Sequence, residues 1–245
     1  MTEWLTKHLY SHRGLFDNNS DAPENSLAAF QASVQHGYGM ELDVQASADG
    51  VPIVFHDFTL DRMTNGSGSV KRMESKALGR LHLKNSTQTI PTLADTLDAV
   101  AGRAPILIEI KVPNGGRIGP LEARIADLLS QYTGPFAVQS FNPASVAWFA
   151  ENAPAFVRGQ IAMNFISRPE PGMAWRHRLA WTKLWSCETS QPHFVSYNVG
   201  DLPGPPTRAV RRQRIALLCW TVRTAAQLAT AKAYADSYIF EGFHA

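Results

Sequence analysis

Met40-Glu41-Leu42-Asp43-Val44 sets two carboxylates two residues apart inside an apolar run. Read as a strand, the run turns Glu41 and Asp43 to one face. Burying two unneutralised carboxylates side by side is costly. A hard divalent cation, which takes oxygen ligands, removes that cost. A third acid, Glu109, stands in Ile106-Leu107-Ile108-Glu109-Ile110-Lys111, where it shares a face with Lys111. The all-oxygen set Glu41, Asp43 and Glu109 suits magnesium or calcium better than zinc. Two histidines complete the pattern, each at the polar end of a short apolar run: His12 in Ser11-His12-Arg13-Gly14 and His56 in Val54-Phe55-His56-Asp57. Imidazoles titrate near neutrality, so one takes a proton while the other gives one. Arg13, a forked donor, and Lys111, a point charge, suit the oxygens of a phosphoryl group. Phosphodiester cleavage needs this combination: an activated hydroxyl or water, a protonated leaving alkoxide and a cation to offset the developing charge. Taken singly, each residue has a plainer reading as a structural histidine, a solvated strand edge or a surface lysine. Their joint placement at or inside apolar β runs favours metal-assisted hydrolysis.

The elements that must position these groups alternate along the chain. Leu9 to His12 reads as a strand, and Asn25 or Ser26 caps a helix carrying Leu27, Phe30 and Val34. The carboxylate strand follows, then an Ala48-Asp49-Gly50 turn and a strand over Val51 to Phe55. Residues 57–89 break the rhythm, with a flexible turn at 65–69 and a short helix within Lys71 to Gly79. Such an excursion beside a strand-end histidine often shapes an active site. Thr92 and Asp95 form a cap-like pair before Leu93, Leu97 and Val100. Three consecutive apolar residues, Ile106 to Ile108, suit a parallel strand covered on both faces. An Asn114-Gly115-Gly116 turn and an amphipathic helix carrying Leu121, Ile125, Leu128 and Leu129 come next. Further strands are expected at 136–141, 156–162, 193–198, 215–222 and 237–240. Nine strand candidates exceed the eight of a barrel, so one is expected as a hairpin, at Val51 to Phe55; an open doubly wound sheet is the alternative.

The 245 residues, 44% apolar and without a run of 18 apolar residues, fit a globular chain with a sizeable core and no membrane insertion. A net charge of +2 does not mark a nucleic-acid binder, and the arginines 208, 211, 212 and 214 read as a solvated helix face. The N-terminus lacks the apolar core of a secretory signal, which points to the cytoplasm. Cys187 and Cys219 have no metal spacing and read as reduced thiols, with a disulfide as the alternative.

From Ser11 to Lys111 the chain resembles the glycerophosphodiester phosphodiesterase family. The likeness is carried by His12-Arg13-Gly14, Pro23-Glu24-Asn25-Ser26, Glu41-Leu42-Asp43-Val44, Asp49 to Asp57, Arg62 with Asn65-Gly66-Ser67-Gly68, and Glu109-Ile110-Lys111. The resemblance implies an α/β TIM (β/α)8 barrel, one domain over 1–245 with an insertion at about 57–89 after the strand ending at His56. It implies His12 and His56 as the acid/base pair, and Glu41, Asp43 and Glu109 as ligands of one Mg2+ or Ca2+. It also puts Arg13 and Lys111 at phosphate-contacting positions and Glu24 at a polar, substrate-side position near the first loop, with Trp220 as an apolar wall of the substrate site or else a plain core tryptophan; it implies hydrolysis of small glycerophosphodiesters to glycerol 3-phosphate and an alcohol, a step of glycerol and lipid metabolism. Beyond Lys111 the match weakens to Gln139-Ser140-Phe141 and Trp220-Thr221-Val222. Arg223 stands where the family usually has asparagine, and Phe240-Glu241-Gly242 replaces its common threonine-aspartate pair. Two other functions compete. Trp175, Trp181 and Trp185 suit a lysophospholipase D acting on lipid diesters, and a phosphate pocket without turnover suits an interaction barrel.

Overall fold

The computed structural model describes residues 2–113 and 116–245; Asn114 and Gly115 of the expected turn lie outside them. The chain divides into two compact units, Tyr10–Phe136 and Ala137–Ala245 together with residues 1–9.

The first unit is built on β1 (Tyr10–Ser11), β2 (Gly39–Ala46), β3 (Pro52–Val54) and β4 (Ile106–Ile110). The central strand, β2, pairs in parallel with β1 and with β4, which sets Asp43 opposite Glu109. β3 folds back on β2 antiparallel, with Val44 opposite Val54. This is the hairpin that the surplus strand requires, because the Ala48-Asp49-Gly50 turn is too short for a parallel crossover. Ser26 is the residue that caps the helix Leu27–Gln35, accepting the Ala29 N–H. Thr92 and Asp95 form a reciprocal capping box before the helix Leu93–Val100. Residues 57–89 are held by an apolar cluster of their own, in which Leu60, Met63, Val70, Leu78 and Leu83 pack with Phe55 and Ile53. A single 3-10 turn at Val70–Arg72 and the helix Ser75–Leu78 lie within this segment.

The second unit holds β5 (Phe136–Ser140) from Ala137 onward, β6 (Val157–Ala162), β7 (Phe194–Asn198), β8 (Ala216–Val222) and β9 (Ser237–Phe240). Each pairs in parallel with the next. Three parallel strands in one unit and five in the other, with helices between them, are the eight of a TIM barrel. Gly159 has no room for a side chain, since a Cβ there would stand 2.2 Å from the Phe194 ring. The stretch 163–190 contains the helices Trp175–Thr182 and Cys187–Ser190. On the basic helix Pro205–Arg212, Arg211 is tied to Asp236. Cys187 and Cys219 are free thiols. Among the described residues, no helix is long and apolar enough to cross a membrane.

Candidate active site

Both faces of β2 are covered, so its alternation buries Glu41 and Asp43 together at 2% and 1% exposure. Glu109 joins them from β4, and carboxylate oxygens of the three lie within 4.8 Å of one another. Burial, then the charges of Asp43 and Glu109, push the Glu41 carboxyl well above the ordinary range. Asp43 goes the other way: burial alone would raise it, but Lys111, His56, Arg13 and His12 hold it well below. Three carboxylates this close repel one another, and the opposite pull on Glu41 and Asp43 follows from which of them the nearby cations reach. An oxygen-only cluster of three such acids fits a hard divalent cation.

The cations are fixed by the chain around β1. Arg13 sits in the left-handed region (φ 57°) and donates its backbone N–H to Glu41 Oε2 at 3.1 Å. Its guanidinium meets Glu24 at 2.7 Å and Asp43 at 3.4 Å, while its buried Nε makes no hydrogen bond. His12 Nε2 lies 3.9 Å from Glu41. Lys111 Nζ reaches Glu109 at 2.9 Å and Asp43 at 3.4 Å. Burial would lower its pKa, but those two carboxylates raise it further, so the ammonium stays charged.

His56 follows β3, and its Nδ1 is 2.6 Å from Asp57 Oδ1. Arg62 then clamps both acids, donating to Asp57 at 2.6 and 2.9 Å and to Glu24 at 2.7 and 3.0 Å. Glu24 therefore bridges Arg13 and Arg62. Burial opposes its charge, and the hydrogen bonds and charges of the two arginines still lower its pKa.

The structure thus brings His12, His56, Arg13, Lys111, Glu24, Glu41, Asp43 and Glu109 into one connected set within the first unit. Trp220 belongs to the second unit, where its Nε1 donates to the Ser196 carbonyl and its ring meets Phe141 edge-on. Trp175 and Trp185 are 74% and 61% exposed, whereas Trp181 packs on Phe165. The two departures noted at the strand ends answer each other. Arg223 pairs with Glu241 through two contacts of 2.9 and 2.7 Å.

Sequence reasoning gave no site role to Gln45, Asp57 or Arg62, and it read Asn25 only as a candidate helix cap. Asn25 donates to Asp43 at 2.9 Å. Gln45 donates to the carbonyls of Phe55 and Asp57 at 2.7 and 2.8 Å, so it holds the backbone on either side of His56. Its signal was present, because residue 45 continues the 41, 43 alternation with a third polar side chain.

Residues 12–240 match the glycerophosphoryl diester phosphodiesterase family, a span that runs through both units. The chain is 30% identical over 233 residues to the YhdW protein of Bacillus subtilis (strain 168), covering 90% of this chain and 89% of that one. It is 31% identical to a glycerophosphodiester phosphodiesterase of Bacillus altitudinis over 68% of this chain and 70% of that protein. Among solved structures it is similar to a glycerophosphodiester phosphodiesterase of Agrobacterium tumefaciens, with a TM-score of 0.72 and 25% identity over 95% of this chain and 96% of the other. A phosphodiesterase of Oleispira antarctica, solved with the product sn-glycerol-3-phosphate, shares the fold with a TM-score of 0.78 and 22% identity over 95% and 92% of the two chains.

Proposed function

The chain belongs to the glycerophosphoryl diester phosphodiesterase family, and on that premise we propose that it hydrolyses glycerophosphodiesters to glycerol 3-phosphate and an alcohol with His12 and His56 as its acid/base pair. The observation that carries this reading is the gathering of Glu41, Asp43 and Glu109 beside both imidazoles. Those three acids would hold one Mg2+ or Ca2+, which when bound supplies electrostatic stabilisation of a phosphoryl oxygen.

The remaining chemistry falls to the chain's own groups. Arg13 and Lys111, the guanidinium and ammonium beside Asp43, orient the non-bridging oxygens. Asp57 engages His56 at Nδ1, which orients the ring and leaves Nε2 to exchange a proton. One imidazole takes the proton of the attacking water or neighbouring hydroxyl as the new P–O bond forms. The other returns a proton to the alkoxide as the old P–O bond breaks. Glu24 and Arg62 keep Arg13 and Asp57 in register with each other. The family span across both units suits a single phosphodiesterase domain, and two free thiols suit the reducing cytoplasm.

The test is release of glycerol 3-phosphate from glycerophosphocholine by the purified protein, with Mg2+ or Ca2+ and then with EDTA. Chelation is expected to abolish turnover. His12→Ala and His56→Ala are each expected to lose about 10²–10⁴-fold while remaining folded. Near-wild-type rates in both variants, or turnover indifferent to chelation, would overturn the assignment. The exposed rings of Trp175 and Trp185 favour lipid diesters as the second reading; lysophosphatidylcholine turned over faster than glycerophosphocholine would establish it.

A further inference from the structure

The first unit contains a cavity of about 600 Å³ whose walls come from three places: the end of β2, the segment 57–89, and the chain after β4. That volume is in the range of small-molecule sites. Its apolar surface is supplied by Phe58, Val112, Pro113 and Leu121, and Phe58 is left 45% exposed, unusual for a phenyl ring. Lys71 and Arg117 also line it, and neither makes an ion pair or side-chain hydrogen bond among the described residues. The one carboxylate in the lining, Glu122, is buried and accepts the Gly119 N–H at the start of its helix. Lys111 joins the cavity to the acidic cluster, for it lines the cavity while its ammonium contacts Glu109 and Asp43. A space with an apolar wall, two uncommitted cations and one wall residue, Lys111, shared with the acidic cluster is suited to one part of a diester.

We propose that this cavity receives the alcohol substituent of the phosphodiester, and that it selects an extended apolar chain ending in an anionic group, which Lys71 and Arg117 bind. The proposal rests on the phosphodiesterase reading above and adds the class of alcohol to it. Phe58, Val112, Pro113 and Leu121 take the methylenes out of water. Lys71 and Arg117 act as an exposed pair of charges, so their share of the selectivity weakens with salt.

Three synthetic glycerophosphodiesters test this, with ethanol, hexan-1-ol and 6-hydroxyhexanoate as the esterified alcohol, assayed by glycerol 3-phosphate release with the purified protein and added Mg2+ or Ca2+. The hexyl diester is expected to exceed the ethyl one in kcat/KM by about tenfold or more, and the carboxylate to add roughly fivefold at low salt. Leu121→Trp, which fills the cavity, is expected to bring the hexyl diester down to the ethyl level with ethyl turnover unchanged. If that variant does not fold, Phe58→Ser carries the same expectation with a smaller loss. Lys71→Ala with Arg117→Ala is expected to erase only the increment from the carboxylate. Equal kcat/KM for all three diesters, or a hexyl preference that survives these changes, overturns the cavity assignment. Absence of turnover on every diester instead overturns the phosphodiesterase reading itself.

Discussion

The two units bury polar groups in opposite ways. In the first, β2 buries formal charge: Glu41 and Asp43 lie inside, Glu109 and Lys111 stand half-buried beside them, and the single ammonium pairs with only two of the three carboxylates. In the second, the buried polar groups of the strands are mostly neutral, and Gln160 spends its amide on the carbonyls of Ser140, Phe141 and Ile161 at 3.0 to 3.1 Å. A neutral amide bonded to backbone closes its own account within the fold. Buried carboxylates that repel each other do not, and keeping them together is worthwhile only where something else binds. Burial by itself therefore separates structure from chemistry poorly; the sign and balance of the buried charge separate them well.

Four changes sharpen or break that contrast. Gln45→Leu, in the first unit, removes the two hydrogen bonds beside His56. It is expected to lower kcat by about 10–100-fold, as small misplacements of catalytic groups do, with KM moving little. A purely structural Gln45 would change the melting temperature and leave kcat alone. Gln160→Leu in the second unit is its counterpart. Denaturant unfolding should show a loss of about 1–3 kcal/mol, and the folded fraction should keep its kcat. A drop in kcat without loss of stability would dissolve the contrast between the units.

Asp57 supplies the pH test. Burial alone would raise its carboxyl, but hydrogen bonds from Arg62 and His56 bring it from the ordinary 3.8 to about 2. A carboxyl depressed in the folded state adds stability that is present above its unfolded value and is lost as pH falls through about 2. Acid unfolding of Asp57→Asn should therefore be flatter than wild type between about pH 4 and pH 2. Parallel curves would remove Asp57 from the network. The smallest effect is expected at Arg223 and Glu241, half-exposed and paired with each other. A double-mutant cycle should return about 0.2–1 kcal/mol of coupling, and a value near zero would make the pairing incidental.

Much of this protein was legible without coordinates, because strand alternation and capping are local. Spacing by two put Glu41 and Asp43 on one face, the surplus strand pointed to the β3 hairpin, and Thr92 with Asp95 announced a helix start. The likeness to a known family supplied roles for residues that local pattern alone leaves open. What stayed hidden involves partners far apart in the chain, whose meeting depends on how the backbone is led through space. Gln45 finds carbonyls 10 and 12 positions on, Arg62 reaches back 38 residues to Glu24, and Arg223 meets Glu241 across 18. The cavity beside Lys111 is likewise a product of three separated stretches. Sequence, then, fixed which side chains carry charge and which way each strand turns them. The tertiary structure alone decided which charges meet and where a space is left beside them, since both depend on distances that no local periodicity encodes.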